Sequence, residues 1–103
     1  MTMPDDSNLV LRVVVEGVVQ GVGYREFTRR AALRLNVSGW VRNRSNGAVE
    51  ALVRGSRPDV EALIAELRNG PGSAVVDRVR VIEDGETERP SDDGGTFVVR
   101  STA

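Results

Sequence analysis

The apolar residues of this 103-residue chain change their spacing along the sequence, and the order of those changes limits the folds that the chain can adopt. Short runs rich in Val, Leu and Ile indicate β-strands, and runs with apolar residues three or four positions apart indicate helices. The order is strand, helix, strand, strand, helix, strand, with a strand-like run at the end. These runs cover residues 9–16, 24–36, 37–43, 48–54, 58–68, 75–83 and 96–101.

Turn and helix-stop signals separate these runs. Residues 44–47 join the two central strands, and their Asn-Gly pair is a strong signal for a tight hairpin. Pro58 suits the first turn of the second helix, and the Asn-Gly-Pro sequence at residues 69–71 ends it. The pattern predicts an α+β, ferredoxin-like βαββαβ sandwich, with two helices on one face of a mainly antiparallel sheet of four to five strands.

A chain of this length holds one hydrophobic core. We expect residues 1–8 to form a disordered N-terminal tail and residues 9–101 to form a single domain. Residues 84–95 are rich in acidic residues, Gly and Ser, which indicates a solvated loop. The apolar faces predicted for the first strand and the two helices consist of Leu11, Val13 and Val15; Tyr24, Phe27, Ala31 and Leu35; and Val60, Leu63, Ile64 and Leu67.

Three residue types are missing from the sequence, and their absence excludes many kinds of active site. The chain has no Cys and no His, and all 14 basic residues are Arg. This excludes disulfides, thiolate nucleophiles, imidazole acid–base catalysis, most zinc sites, Schiff bases and the lysine of a Walker phosphate loop. The remaining side chains suit the binding of an anion, and we expect no cofactor and no metal.

The charge of the chain gives no general attraction to polyanions. The formal net charge is −1, and no stretch approaches the roughly 20 apolar residues that span a bilayer. The N-terminal residues lack the basic and apolar segments of a secretory signal. We therefore expect a cytoplasmic protein, monomeric, with no nucleic acid or membrane partner.

The segment between the first strand and the first helix is the most informative. Gly21 and Gly23 can adopt positive φ, which would turn successive backbone N–H groups towards one point. The helix that starts near Tyr24 adds unpaired N–H groups and the positive end of its dipole, and the guanidinium of Arg25 could grip a phosphate with two hydrogen bonds. Alternatively, the glycines only turn a corner and Arg25 is a surface cation; the residues alone leave both interpretations open.

A second group of polar residues ends the strand at residues 37–43. In a strand, Val41 and Asn43 face one way while Trp40 and Arg42 face the other. An Asn just before a hairpin more often initiates the turn, but its amide could also orient a water molecule. Trp40 is most simply a packing residue.

Both segments resemble signatures of one family. Residues 17–25 (GVVQGVGYR) resemble the first signature of the acylphosphatase family, and residues 39–43 (GWVRN), followed by Gly47, Val49 and Gly55, resemble the second. The order of elements agrees from about residue 9 to residue 100, and the acidic segment 84–95 is the one departure.

The resemblance implies hydrolysis of an acyl phosphate to a carboxylate and inorganic phosphate, by direct attack of water and without a metal or a phosphoenzyme. By position, Arg25 matches the phosphate-binding arginine of the family and Asn43 its water-positioning asparagine. Backbone donors to the substrate phosphate would come from Gln20, Gly21, Val22, Gly23 and Tyr24. Inorganic phosphate or sulfate would compete for the same site.

Other functions remain open at this point. A regulatory module that binds a small anion without turnover would need Arg25 and the glycine loop but not Asn43. An RNA-binding sheet would need more aromatic residues and a basic face. A domain of a larger carbamoyl-transfer maturation protein is a third alternative, against which the initial Met and the terminal tails argue mildly.

Overall fold

The helices and strands follow one another in the order that the sequence predicts. The computed structural model describes residues 9–83 and 96–103, so the predicted N-terminal tail and the acidic loop 84–95 lie outside the described residues. The elements are β1 (Leu9–Val18), α1 (Tyr24–Arg34), β2 (Ser38–Asn43), β3 (Val49–Gly55), α2 (Arg57–Asn69), β4 (Val75–Glu83) and β5 (Phe97–Val99).

The strands form one five-stranded sheet in the order β4-β1-β3-β2-β5. β1 pairs antiparallel with β3 and β4, β2 pairs antiparallel with β3, and β5 lies parallel to β2 at the edge. Because β1 and β2 are both antiparallel to β3, they run in the same direction with β3 between them. The predicted ferredoxin-like α+β class, with a mainly antiparallel sheet, is confirmed. No helix among the described residues is long and apolar enough to span a membrane.

The hydrophobic core lies between the helices and one face of the sheet. Alternate strand residues such as Val13, Val41 and Ala51 point into it, as the period of two requires. The predicted apolar face of α2 is buried in full. On α1 the burial differs from the prediction: Tyr24 and Ala31 are buried, Phe27 and Leu35 are only partly buried, and Thr28 and Ala32 are buried in addition. Thr28 is tolerated there because its hydroxyl donates to the carbonyl oxygen of Tyr24 at 2.9 Å.

Most element boundaries differ from the predicted runs by one or two residues, and two of these differences have a backbone cause. β1 continues two residues further, to Val18, across a bulge between Glu16 and Gly17. Gly17 has φ 133°, and a Cβ there would lie 2.1 Å from the carbonyl oxygen of Val75, so only glycine lets β4 approach so closely. α1 ends at Arg34, and Asn36, with φ 60°, lies outside the helix.

The other face of the sheet holds a buried ion cluster around Glu50. Its carboxylate is inaccessible to solvent and lies 2.8 Å from Arg12, 2.9 Å from Arg42 and 3.2 Å from Arg44. Burial disfavours ionisation of Glu50, but the hydrogen bond from Arg42 and the charges of the three arginines outweigh it and hold its pKa below the ordinary value.

Trp40 is buried on this same face. The guanidinium groups of Arg42 and Arg100 lie 4.7 and 5.0 Å from its ring centroid, within the range of cation–π contacts. Trp40 is therefore a packing residue, as the sequence suggests.

We predict that Glu50→Gln lowers the free energy of unfolding by about 3–5 kcal/mol, because three arginines lose their shared counter-charge. The pKa of Glu50 is depressed in the fold, so its stabilisation is complete above the ordinary glutamate pKa of about 4.3 and is lost as the pH falls below that value. Urea denaturation between pH 3 and 7 should show the two proteins converging at low pH.

The control for this measurement is Glu16→Gln. Glu16 pairs with Arg80 at 3.3 Å on the exposed surface, so its substitution should cost less than about 1 kcal/mol. Equal losses in the two variants would contradict the central place given to Glu50.

Candidate active site

The loop from β1 into α1 has the backbone geometry that its glycines predict. Gly21 has φ 76° and Gly23 has φ 79°. A Cβ at either position would meet nothing within 4 Å, so glycine is favoured there by the backbone angle alone. Gly23 is the N-cap of α1 and has no side chain to accept hydrogen bonds from the first helical turn. The N–H groups of that turn are therefore directed at whatever anion approaches the loop.

Arg25 extends from the first turn of α1 and is half-buried. One of its guanidinium nitrogens donates to the carbonyl oxygen of Arg100 at 3.3 Å. A guanidinium has five N–H donors, so this contact orients the group and leaves the other donors for a ligand.

Arg25 and Asn43 open onto the same cavity. The cavity has a volume of about 330 Å³, and its lining also includes Gly21, Gly23 and Glu26; Val19, Tyr24 and Val99 complete it. The chain topology brings these residues together. Since β1 and β2 run in the same direction, their carboxyl ends lie at the same edge of the sheet, and α1 begins there. Tyr24 lines the cavity, whereas Gln20 and Val22, also predicted as phosphate donors, are not among the lining residues.

Asn43 is the last residue of β2, paired with Val49 of β3. The hairpin turn after it is held by other groups: the side-chain oxygen of Asn46 accepts from the N–H of Ala48 at 3.0 Å, and the N–H of Ser45 donates to Ala103 at 2.9 Å. Asn46 therefore stabilises the turn from within it. The side of β2 on which Asn43 lies is the side of Val41, as the strand alternation predicts.

The side chain of Tyr24 belongs to the hydrophobic core. Its ring is buried, and its hydroxyl donates to the carbonyl oxygen of Leu67 in α2 at 2.5 Å. Burial raises its pKa well above the ordinary value, so the phenol stays protonated. Tyr24 thus ties the start of α1 to α2.

Glu26 is a lining residue for which the sequence gives no functional reason. A carboxylate so close to an anion site would repel the ligand, but Arg29 binds it through two hydrogen bonds of 2.9 and 2.7 Å and Arg30 through one of 3.0 Å. These hydrogen bonds lower the pKa of Glu26 to about 2. The carboxylate is ionised, and the two guanidinium groups offset its charge.

Gln20 has a contact that sequence reasoning missed. Its side-chain NH₂ group donates to the carbonyl oxygens of Arg44 and Ala48, at 2.8 and 2.9 Å. The sequence signal was present: Gln20 is the one long polar side chain among the apolar and glycine residues of 17–23. Its partners are backbone atoms, which no sequence pattern identifies.

The comparisons with known proteins agree with this geometry. The sequence model of the acylphosphatase family matches residues 11–94. The chain belongs to the acylphosphatase family. An acylphosphatase from Nitrobacter hamburgensis is 53% identical over 73 residues, which are 71% of this chain and 74% of the relative. An acylphosphatase from Acidovorax (strain JS42) is 48% identical over 96 residues, 93% of this chain and 94% of the relative.

A solved structure supports the same assignment. The structure of an acylphosphatase from Coxiella burnetii superposes with a TM-score of 0.81 at 37% identity, covering 97% of this chain and 100% of that one. The resemblance seen in the two sequence signatures is confirmed. The protein is thus an acylphosphatase enzyme, and its activity class is acyl phosphate hydrolysis. The roles of individual residues stay predictions.

We predict that Gly21→Ala lowers the free energy of unfolding by about 1 kcal/mol and that Gly21→Asn lowers it less. Space is not the cause, since a Cβ at this position meets nothing within 4 Å; the cause is the positive φ, which Asn tolerates better than Ala. Urea denaturation of both variants measures the difference. An Asn variant as destabilised as the Ala variant would contradict the conformational explanation.

Proposed function

We propose that this acylphosphatase acts by direct, in-line attack of a water molecule that Asn43 positions, on a phosphoryl group held by Arg25 and by backbone N–H groups of loop 20–25. The observation that supports the proposal is the cavity in which Arg25, Asn43 and the glycine loop meet at the N-terminus of α1.

The backbone N–H groups of loop 20–25 and the guanidinium of Arg25, together called the phosphate cradle, stabilise the charge of the phosphoryl group. Backbone N–H groups at the helix start and the guanidinium of Arg25 are permanent, oriented donors, so they need no rearrangement as charge develops on the phosphate oxygens. Phosphoryl transfer passes through a loose transition state in most analyses, for which positioning and charge stabilisation provide most of the catalysis. The missing His, Cys and Lys are therefore no obstacle to this chemistry.

The leaving group explains why an amide is sufficient beside the water. The water oxygen forms a bond to phosphorus while the bond from phosphorus to the acyl oxygen breaks, and the electron pair leaves with the carboxylate. A carboxylate is a good leaving group and needs no proton. Asn43 accepts a hydrogen bond from the water and donates none of its own protons to the product, and the proton of the water passes to a phosphate oxygen.

We further propose that the enzyme requires no metal or cofactor, that it is monomeric and cytoplasmic, and that inorganic phosphate and sulfate compete with the substrate. These proposals rest on the composition and charge of the sequence. Hydrolysis of an aryl acyl phosphate at an unchanged rate in EDTA is the expected result for the first of them.

We predict that Arg25→Ala abolishes binding and turnover and that Arg25→Lys restores little of either. An ammonium cannot reproduce the two-pronged contact of a guanidinium, and the loss should be about 3 kcal/mol or more in kcat/KM, which is at least roughly a hundredfold. The measurement is steady-state hydrolysis, together with the rise in Tm on addition of inorganic phosphate or sulfate.

The exposed Arg68 provides the control for general salt effects: Arg68→Ala should keep the full rise in Tm. An Arg25→Lys protein with a nearly normal kcat/KM would contradict the role proposed for Arg25. A rise in Tm as large in the Arg25→Ala protein as in the wild type would contradict the proposed phosphate site.

We predict that Asn43→Ala lowers kcat by about a hundredfold to a thousandfold and leaves the affinity for inorganic phosphate nearly unchanged. The amide contacts the attacking water and not the phosphate, so its loss should fall on the transition state. Asn43→Asp should be no faster than Asn43→Ala, since its charge repels the anionic substrate in a poorly screened cavity.

Two results would count against this role of Asn43. An aspartate variant as fast as the wild type would mean that base catalysis matters. An alanine variant that loses rate and phosphate affinity together would mean that Asn43 belongs to the anion site or to the hairpin.

A further inference from the structure

The two halves of the proposed site belong to segments that the sheet keeps apart. Loop 20–25, called the phosphate loop below, follows β1, and Asn43 is the last residue of β2. β3 lies between these two strands. Two strand spacings amount to about 10 Å, so no ladder hydrogen bond joins β1 to β2. The ladders to β3 fix the spacing of the two strands, but β1 ends at Val18, so the position of the loop that follows depends on contacts of its own.

Gln20 makes such a contact. It is the residue before Gly21, and its side-chain NH₂ group donates to the carbonyl oxygens of Arg44 and Ala48 in the β2–β3 hairpin. Arg44 directly follows Asn43. Resting on the proposed roles of Arg25 and Asn43, we propose that Gln20 is a positioning residue, whose amide holds the phosphate loop at the distance from Asn43 that the in-line attack requires.

The partners of Gln20 explain why an amide occupies this position. The two carbonyls also accept the hydrogen bonds that close the hairpin, from the N–H of Arg44 to Ala48 at 2.8 Å and from the N–H of Gly47 to Arg44 at 3.1 Å. Both protons of one NH₂ group are therefore used on a pair of atoms whose separation the hairpin itself determines. A carboxylate of the same shape would face two carbonyl oxygens without a proton to share.

The geometry also indicates which kinetic constant Gln20 controls. The backbone donors at Gly21 and Gly23 and the guanidinium of Arg25 all lie on the loop and helix side of the link. Asn43 lies on the hairpin side. Loss of the link leaves the phosphate cradle complete and changes its distance to the water. A displacement of about 1 Å can cost roughly a hundredfold in rate, so the effect should fall on kcat and spare phosphate binding.

The test is a double-mutant cycle with Gln20→Met and Asn43→Ala. Methionine is of similar length and has no donor, and the backbone N–H of residue 20 is retained. We expect Gln20→Met to lower kcat by about ten- to a hundredfold, with the inhibition constant of inorganic phosphate changed less than twofold. In the Asn43→Ala background the same substitution should lower kcat less than twofold, because the group that it positions is absent.

A control variant separates positioning from loss of stability. Ser56 caps α2 by accepting from the N–H of Asp59 at 3.3 Å, and it does not line the cavity. Ser56→Ala should lower Tm and leave kcat unchanged. A Gln20→Met protein that loses rate only in proportion to its loss of folded fraction, as judged against this control, would overturn the inference.

A second variant keeps the inference testable if Gln20→Met folds poorly. In Gln20→Glu the introduced carboxyl can donate one hydrogen bond only when it is protonated. Its kcat, divided by that of the wild type at the same pH, should therefore rise as the pH falls from 7 to 5. A ratio that is constant or falls over this range would contradict the positioning role.

The remaining outcomes are also decisive. Equal losses of kcat for Gln20→Met with and without Asn43 would show that Gln20 acts on the structure of the loop alone. A parallel loss of phosphate affinity would place it in the anion site. A fully active Asn43→Ala protein would contradict the proposed function itself. A loss of rate confined to the Gln20 variants would not contradict the roles proposed for Arg25 and Asn43.

Discussion

The positive φ angles of Gly21 and Gly23 are the constraint on which the site depends. They turn the chain from β1 directly into α1 and leave the first helical turn without a side-chain cap, so the N–H groups of that turn are directed at the cavity. Arg25 lies in the same turn. Backbone donors, helix dipole and guanidinium are therefore all supplied by one short stretch of sequence, and the remainder of the fold has to bring Asn43 to it.

The direction of the strands brings Asn43 close to the phosphate loop. β1 and β2 are parallel to each other and their carboxyl ends lie at one edge of the sheet, which places Asn43 beside the start of α1. Three further contacts adjust the arrangement at this edge. Gln20 links the loop to the hairpin, the carbonyl of Arg100 orients Arg25, and the N–H of Ala103 donates to the carbonyl of Asn43 at 3.0 Å. On the opposite face of the sheet, Glu50 binds Arg42 and Arg44, which flank Asn43 in the sequence.

Much of this arrangement could be predicted from the sequence, because local signals specify it. The alternation in the strands, the Asn-Gly hairpin and the glycine loop indicate the order of elements and the two segments of the site. What could not be predicted depends on contacts between distant backbone atoms. The continuation of β1 past Gly17 depends on the approach of Val75, and the hydrogen bonds of the Gln20 side chain depend on two carbonyl oxygens in the hairpin. Glu26 lines the cavity because of the direction in which α1 begins, and the spacing of residues in the sequence does not predict that direction.

The central claim is that the site directs water to phosphorus and not to the acyl carbon. The most direct measurement is hydrolysis of an acyl phosphate in water enriched in ¹⁸O, with mass analysis of both products after a single turnover. The account predicts one ¹⁸O atom in the inorganic phosphate and none in the carboxylate, because the bond between phosphorus and the acyl oxygen is the bond that breaks. Label in the carboxylate would show attack at the carbonyl carbon and would contradict the roles proposed for Arg25 and Asn43.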